Sequence, residues 1–109
     1  MAIVLSEPIA AYFAASNAGD ADAVAACFAD DALVHDEGRD MRGPGAIRDW
    51  TAAAVSRYQP VAEPLQSEDR DGATVVTARV SGTFPGSPAD LRYAFVLRGG
   101  QIASLRIGG

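Results

Sequence analysis

Pro60 divides the chain into two halves with different periods. After it stand four runs rich in β-branched and aromatic residues: Val61 to Glu68, Ala73 to Phe84, Leu91 to Leu97 and Ile102 to Ile107. Turn chemistry fills each gap, with Asp71-Gly72, Pro85-Gly86-Ser87-Pro88 and Gly99-Gly100. That spacing predicts an antiparallel meander.

Ahead of Pro60, apolar residues recur at helical intervals. Ser6 is placed to cap a first helix, with Glu7 and Pro8 in its opening turn. Ile9, Tyr12, Phe13 and Ser16 then fall on one face. Gly19 ends that helix and Asp20 caps a second, whose stripe is Val24, Cys27 and Phe28. Asp30-Asp31-Ala32 reads as a turn, Leu33 to Asp36 as a short strand, and Glu37 to Gly43 as polar loop. Pro44 opens a third helix presenting Ile47, Trp50, Ala54 and Tyr58. The order predicts one α+β domain over 1–109, with helices gathered on one face of a sheet.

Two strand segments break the alternation expected of a sheet with one wet face. Val75 and Val76 are adjacent, as are Phe95, Val96 and Leu97. One apolar face packs the helices; a second copy of the chain is the simplest cover for the other, which predicts a homodimer through the outer sheet face. With 109 residues and 49% hydrophobic content the core is modest, and a partner subunit adds to it.

The net charge of −5 argues against nucleic-acid and acidic-lipid partners. The nine basic residues are all Arg, which, with the many Ala and Gly, points to a GC-rich and so bacterial genome. The lone Cys27 allows no intrachain disulfide. The start has no basic n-region and no apolar run is long enough to span a bilayer, so the expectation is a cytoplasmic protein. One His, one Cys and scattered carboxylates give no metal-ligand spacing, and no phosphate loop is present, so no metal or cofactor is expected.

Read singly, each polar candidate has two readings. Asp36 is either an exposed strand-end carboxylate or a base facing a cavity. Tyr12 is either a core tyrosine or a donor to a ligand oxygen. Trp50 is core or an apolar pocket wall. Tyr93 is a strand aromatic or a second donor. His35, next to Asp36, points to the opposite face unless a bulge turns it inward. Cys27 reads as inert core.

The string Asn17-Ala18-Gly19-Asp20, then Phe28-Ala29-Asp30-Asp31-Ala32-Leu33-Val34-His35-Asp36, resembles the front half of the nuclear-transport-factor-like superfamily, which includes the ketosteroid isomerases and the SnoaL-like polyketide cyclases. Arg42-Gly43-Pro44-Gly45-Ala46-Ile47-Arg48-Asp49-Trp50 and the closing strands are similar to the same family. The resemblance implies a cone-shaped roll: three N-terminal helices on a strongly curved mixed or antiparallel sheet, enclosing a pocket, often in a dimer. Relative to Asp20, Tyr12 and Asp36 stand where ketosteroid isomerases carry their tyrosine and general-base aspartate. Trp50 matches a pocket aromatic, and Tyr93 stands where the family has a late-strand acid. The resemblance implies a pocket for a small hydrophobic molecule, with Asp36 and Tyr12 catalytic and Trp50, Tyr93, Ser16, Phe28 and His35 binding. It is compatible with cofactor-independent isomerisation, cyclisation or dehydration, or with a non-catalytic binding or homodimerisation module.

Overall fold

The computed structural model describes residues 5–108. Helices α1 (Ile9–Asn17), α2 (Ala21–Ala26) and α3 (Pro44–Tyr58) pack on one face of a six-stranded sheet. The strands are β1 (Phe28–Asp36), β2 (Arg39–Arg42), β3 (Val61–Arg70), β4 (Ala73–Ser81), β5 (Ala89–Arg98) and β6 (Gln101–Gly108), in spatial order β2-β1-β6-β5-β4-β3. The expected α+β class and the closing meander are present, and the β1–β6 pair is parallel, so the sheet is mixed. No helix among the described residues is long and apolar enough to cross a membrane.

Several local expectations are corrected. A turn at Glu7-Pro8 separates Ser6 from the helix start, so Ser6 supplies only its carbonyl, to the Ala10 N–H at 3.0 Å, and no side chain caps α1. Asp20 does cap α2, its carboxylate accepting from the Ala23 N–H at 3.0 Å. That helix stops at Ala26, and Phe28 belongs to β1. Asp30-Asp31-Ala32 is not a turn: the register against β6 jumps between Phe28 and Leu33, and the resulting bulge keeps both aspartates exposed while the strand continues. Glu37 to Gly43 is not all loop. Glu37 and Gly38 take φ of 53° and 74°, the primed turn that suits a two-residue hairpin, and β2 follows. β4 ends at Ser81, short of Phe84. There Gly82 passes so close to α3 that a Cβ would sit 2.6 Å from the Tyr58 carbonyl oxygen, and the Thr83 N–H donates to that oxygen at 2.8 Å.

The core lies between the helices and the inner sheet face. Ile9, Val24, Ile47, Val34, Val76, Ile102 and Leu105 are buried there. An aromatic cluster of Tyr12, Phe13, Phe28, Tyr93 and Phe95 joins α1 to β1 and β5, mostly edge-to-face with centroids 5.1–6.3 Å apart. On the outer face Val75, Ala94 and Val96 lie between strands, with Val96 39% exposed.

α1 ends on a long-range tether. The Asn17 side chain donates to the Ala62 carbonyl at 2.9 Å and accepts from the Ala62 N–H at 2.8 Å. Ala62 sits on β3, the edge strand, so Asn17 occupies main-chain groups that no neighbouring strand takes. Two such bonds contribute on the order of 1–3 kcal/mol. Asn17→Ala is therefore expected to lower unfolding free energy by about 2 kcal/mol in urea denaturation; a loss under about 0.5 kcal/mol would mean that the tether does not hold α1.

Candidate ligand cavity and its polar end

A cavity of about 780 Å³ opens between α3 and the inner sheet face. One stripe of α3 forms its helical wall, with Ala46, Trp50, Ala53, Ala54, Arg57 and Tyr58 at helical spacing. Val80, Leu91, Tyr93 and Ile107 line the sheet side. Tyr12 and Ser16 reach in from α1, and Asp36 from the last position of β1.

The strand geometry decides which β1 residues face inward. Val34, buried, and Asp36 share a parity, and Met41 opposite Val34 lines the cavity. His35 has the other parity and stands outside, its Nδ1 2.6 Å from Asp40 Oδ1, the residue paired with it across the hairpin. Phe28 also does not line the cavity: it is core, edge-on behind Tyr12 at 6.0 Å. Five of the seven residues named from sequence thus meet at the cavity: Tyr12, Ser16, Asp36, Trp50 and Tyr93. The wall residues Met41, Arg57, Phe84, Leu91 and Ile107 were not singled out. For Met41 the signal was the Glu37-Gly38 turn, which predicts a returning strand with Met41 on its inner face.

At the polar end the Trp50 indole N–H donates to Asp36 Oδ2 at 3.3 Å. This is a long hydrogen bond that holds one carboxylate oxygen. Partial burial raises the Asp36 carboxyl above its ordinary 3.8, and Glu37 adds to the shift; the Trp50 hydrogen bond and His35 oppose it. Burial first, and then each other and the Asp36 charge, push the Tyr12 phenol far up; burial and Asp36 do the same for Tyr93. Both phenols therefore stay protonated donors at any ordinary pH. Their ring centroids are 6.3 Å apart. Neither hydroxyl bonds to a protein group among the described residues, yet no fully buried side-chain polar atom there is left unpaired. Both hydroxyls therefore open on the cavity, where a ligand oxygen or water satisfies them. Cys27 takes no part: its thiol faces the Ala23 carbonyl at 3.4 Å and burial pushes it up, away from nucleophilic thiolate.

A raised carboxyl has a stability consequence. Above 3.8 the unfolded chain releases the Asp36 proton before the folded chain does, so stability falls as pH rises through the interval from 3.8 to the raised folded value. Asp36→Asn removes that cost while keeping an oxygen for Trp50. It is expected to be more stable than the parent at pH 7, with the gain fading below about pH 4. Thermal melts across pH check this, and equal or lower stability of the variant at pH 7 would contradict it.

Comparison with known proteins agrees with this geometry. No curated protein sequence matches the chain. Among solved structures, a protein from Sinorhizobium meliloti described as a candidate polyketide cyclase is 43% identical, with 95% of each chain covered and a TM-score of 0.91. A protein of ketosteroid isomerase-like fold from Catenulispora acidiphila, solved with trimethylamine, is 20% identical over 97% of this chain and 87% of its own, with a TM-score of 0.85. Another candidate polyketide cyclase, from Xanthomonas campestris, is 23% identical over 91% of this chain and 84% of its own, with a TM-score of 0.76. These last two show the fold alone. The SnoaL-like domain profile matches residues 9–105, nearly the whole of the sheet and all three helices, and the chain belongs to the SnoaL-like domain family.

Proposed function

We propose that the cavity binds a small hydrophobic carbonyl compound and moves a proton on it, in an isomerisation or cyclisation without a cofactor. The observation that carries this reading is a pair of buried phenols, Tyr12 and Tyr93, that line the cavity together with a half-buried carboxylate. Such a pair suits an oxygen that gains negative charge, and a raised carboxylate suits the base that removes the adjacent proton.

In this reading the Asp36 carboxylate takes a proton from the carbon next to the substrate carbonyl. The electrons of the C–H bond form an enolate, whose oxygen accepts hydrogen bonds from Tyr12 and Tyr93. Asp36 then returns the proton to another carbon, or the enolate carbon attacks a second carbonyl carbon of the same molecule, whose π electrons pass to its oxygen, and that oxygen takes the proton back from Asp36. Trp50 keeps the carboxylate oriented through Oδ2. The 43% identical relative described as a candidate polyketide cyclase supports the same class of reaction.

Deuterium uptake by 3-cyclohexenone in heavy water, followed by NMR, tests the chemistry. The parent protein is expected to accelerate exchange, and Asp36→Asn to lose on the order of 10²-fold or more. Exchange unchanged in Asp36→Asn would refute the base. Absence of acceleration by the parent, with binding retained, would favour a non-catalytic ligand-binding domain.

For the outer sheet face we propose a second copy of the chain as the cover. Val75, Ala94 and Val96 form an apolar strip there, flanked by Glu68 on β3 and by Arg92 and Arg106 on β5 and β6, charges that complement one another across a two-fold axis. Sedimentation should show a dimer at micromolar concentration that Val96→Arg converts to monomer; a parent that is monomeric at high micromolar concentration excludes it.

A further inference from the structure

The charges lining the cavity are unevenly spread along α3. Asp36, Glu37, Asp40 and Asp49 lie toward the end where Trp50 meets β1, with Arg39 as the cation among them. Arg57 stands seven residues past Trp50 on the same helical stripe, about 10 Å along the axis. Tyr58, and Phe84 against it, stand beside it in the cavity wall. Arg57 is exposed at the mouth and forms no salt bridge among the described residues.

Arg57 is also braced. Its guanidinium lies over the Tyr58 ring, 5.4 Å from the centroid, and that ring is edge-on to Phe84 at 6.0 Å. The Phe84 loop is bound to the end of α3, with Thr83 donating from its N–H to the Tyr58 carbonyl at 2.8 Å and from its hydroxyl to the Arg57 carbonyl at 3.2 Å. A guanidinium held this way loses less freedom on meeting an anion than a loose one, and its planar fork fits a carboxylate. The walls also carry small and apolar side chains: Ala53 and Ala54 on the helix, Leu91 and Ile107 on the sheet. A ring body fits there, because the alanines leave the room a larger side chain would take.

We propose that Arg57 is a specificity determinant that selects ligands carrying a carboxylate at the end remote from the oxygen held by Tyr12 and Tyr93, with a flat apolar body between them. This rests on the proposed reading of the Tyr12, Tyr93 and Asp36 end, and it adds an anionic group at the far end of the substrate. A hydrogen-bonded ion pair at a partly wet mouth gives a preference of about tenfold over a neutral isostere.

Calorimetric titration with 6-hydroxy-2-naphthoate and its neutral counterpart 6-hydroxy-2-naphthamide tests this in the intact protein. The parent is expected to prefer the acid by about tenfold, with salt weakening the acid and sparing the amide. Arg57→Gln should bring the two within twofold, with amide affinity unchanged and far-UV circular dichroism preserved. Equal binding of both probes by the parent overturns the role of Arg57 and leaves the proton-transfer reading standing. A preference that survives Arg57→Gln but disappears in Arg39→Gln also overturns it, placing the anion at the hairpin. Failure of the parent to bind either probe counts against the cavity as a carbonyl site and so against both proposals.

Discussion

The cavity depends on how α1 is held across the sheet. Asn17 satisfies both main-chain groups of Ala62 on the edge strand β3, while at its other side α1 inserts Tyr12 and Phe13 into the aromatic cluster with Phe28, Tyr93 and Phe95. With α1 fixed at both places, Tyr12 is presented to the same space as Tyr93. Close to that tether, where α3 ends, the orphan carbonyls of Arg57 and Tyr58 are taken by Thr83, which fixes the loop bearing Phe84. Hydrogen-bonded backbone therefore fixes this end of the chamber, and its shape does not rest on side-chain packing alone.

Within that chamber, environment rather than residue type separates the roles. Asp31 and Asp36 lie on one strand. Asp31 is exposed and ion-paired with Arg98, which holds its carboxyl below the ordinary range. Asp36, half-buried beside Glu37, is shifted up. The tyrosines divide similarly: Tyr58 lies under the Arg57 guanidinium, whereas Tyr12 and Tyr93 are buried where the cavity meets the aromatic cluster.

Most of the architecture was legible in the sequence because its signals are local. Asp20 before a short helix, Pro44 at a helix start, and the Asp71-Gly72 and Gly99-Gly100 turns each act through adjacent backbone. What was misread needed tertiary information. The Asp30-Asp31-Ala32 segment has turn composition, yet pairing of β1 with β6 carries it through as a bulged strand. Glu37 to Gly43 is polar because β2 is an edge strand with one solvated side, so its strand character was masked. In the site, periodicity placed Tyr12, Ser16 and Trp50 on the faces they occupy, and strand alternation separated Asp36 from His35. Phe28 was expected at the cavity, but it opens β1 after the early end of α2 and lies in the core. The cavity role of Arg57 was not legible, since an arginine in a last helical turn is ordinarily explained by the helix dipole.

On the proposed reading, Tyr12 and Tyr93 jointly receive one ligand oxygen. The chain has three tyrosines, so labelling their Cζ carbons with ¹³C gives three resolvable signals. On titration with 2-cyclohexenone, the Tyr12 and Tyr93 signals are predicted to shift together along one saturation curve, with Tyr12→Phe weakening binding and reducing the Tyr93 shift. Saturating binding that moves neither signal, or that leaves the Tyr93 shift intact and the affinity unchanged in Tyr12→Phe, would contradict it.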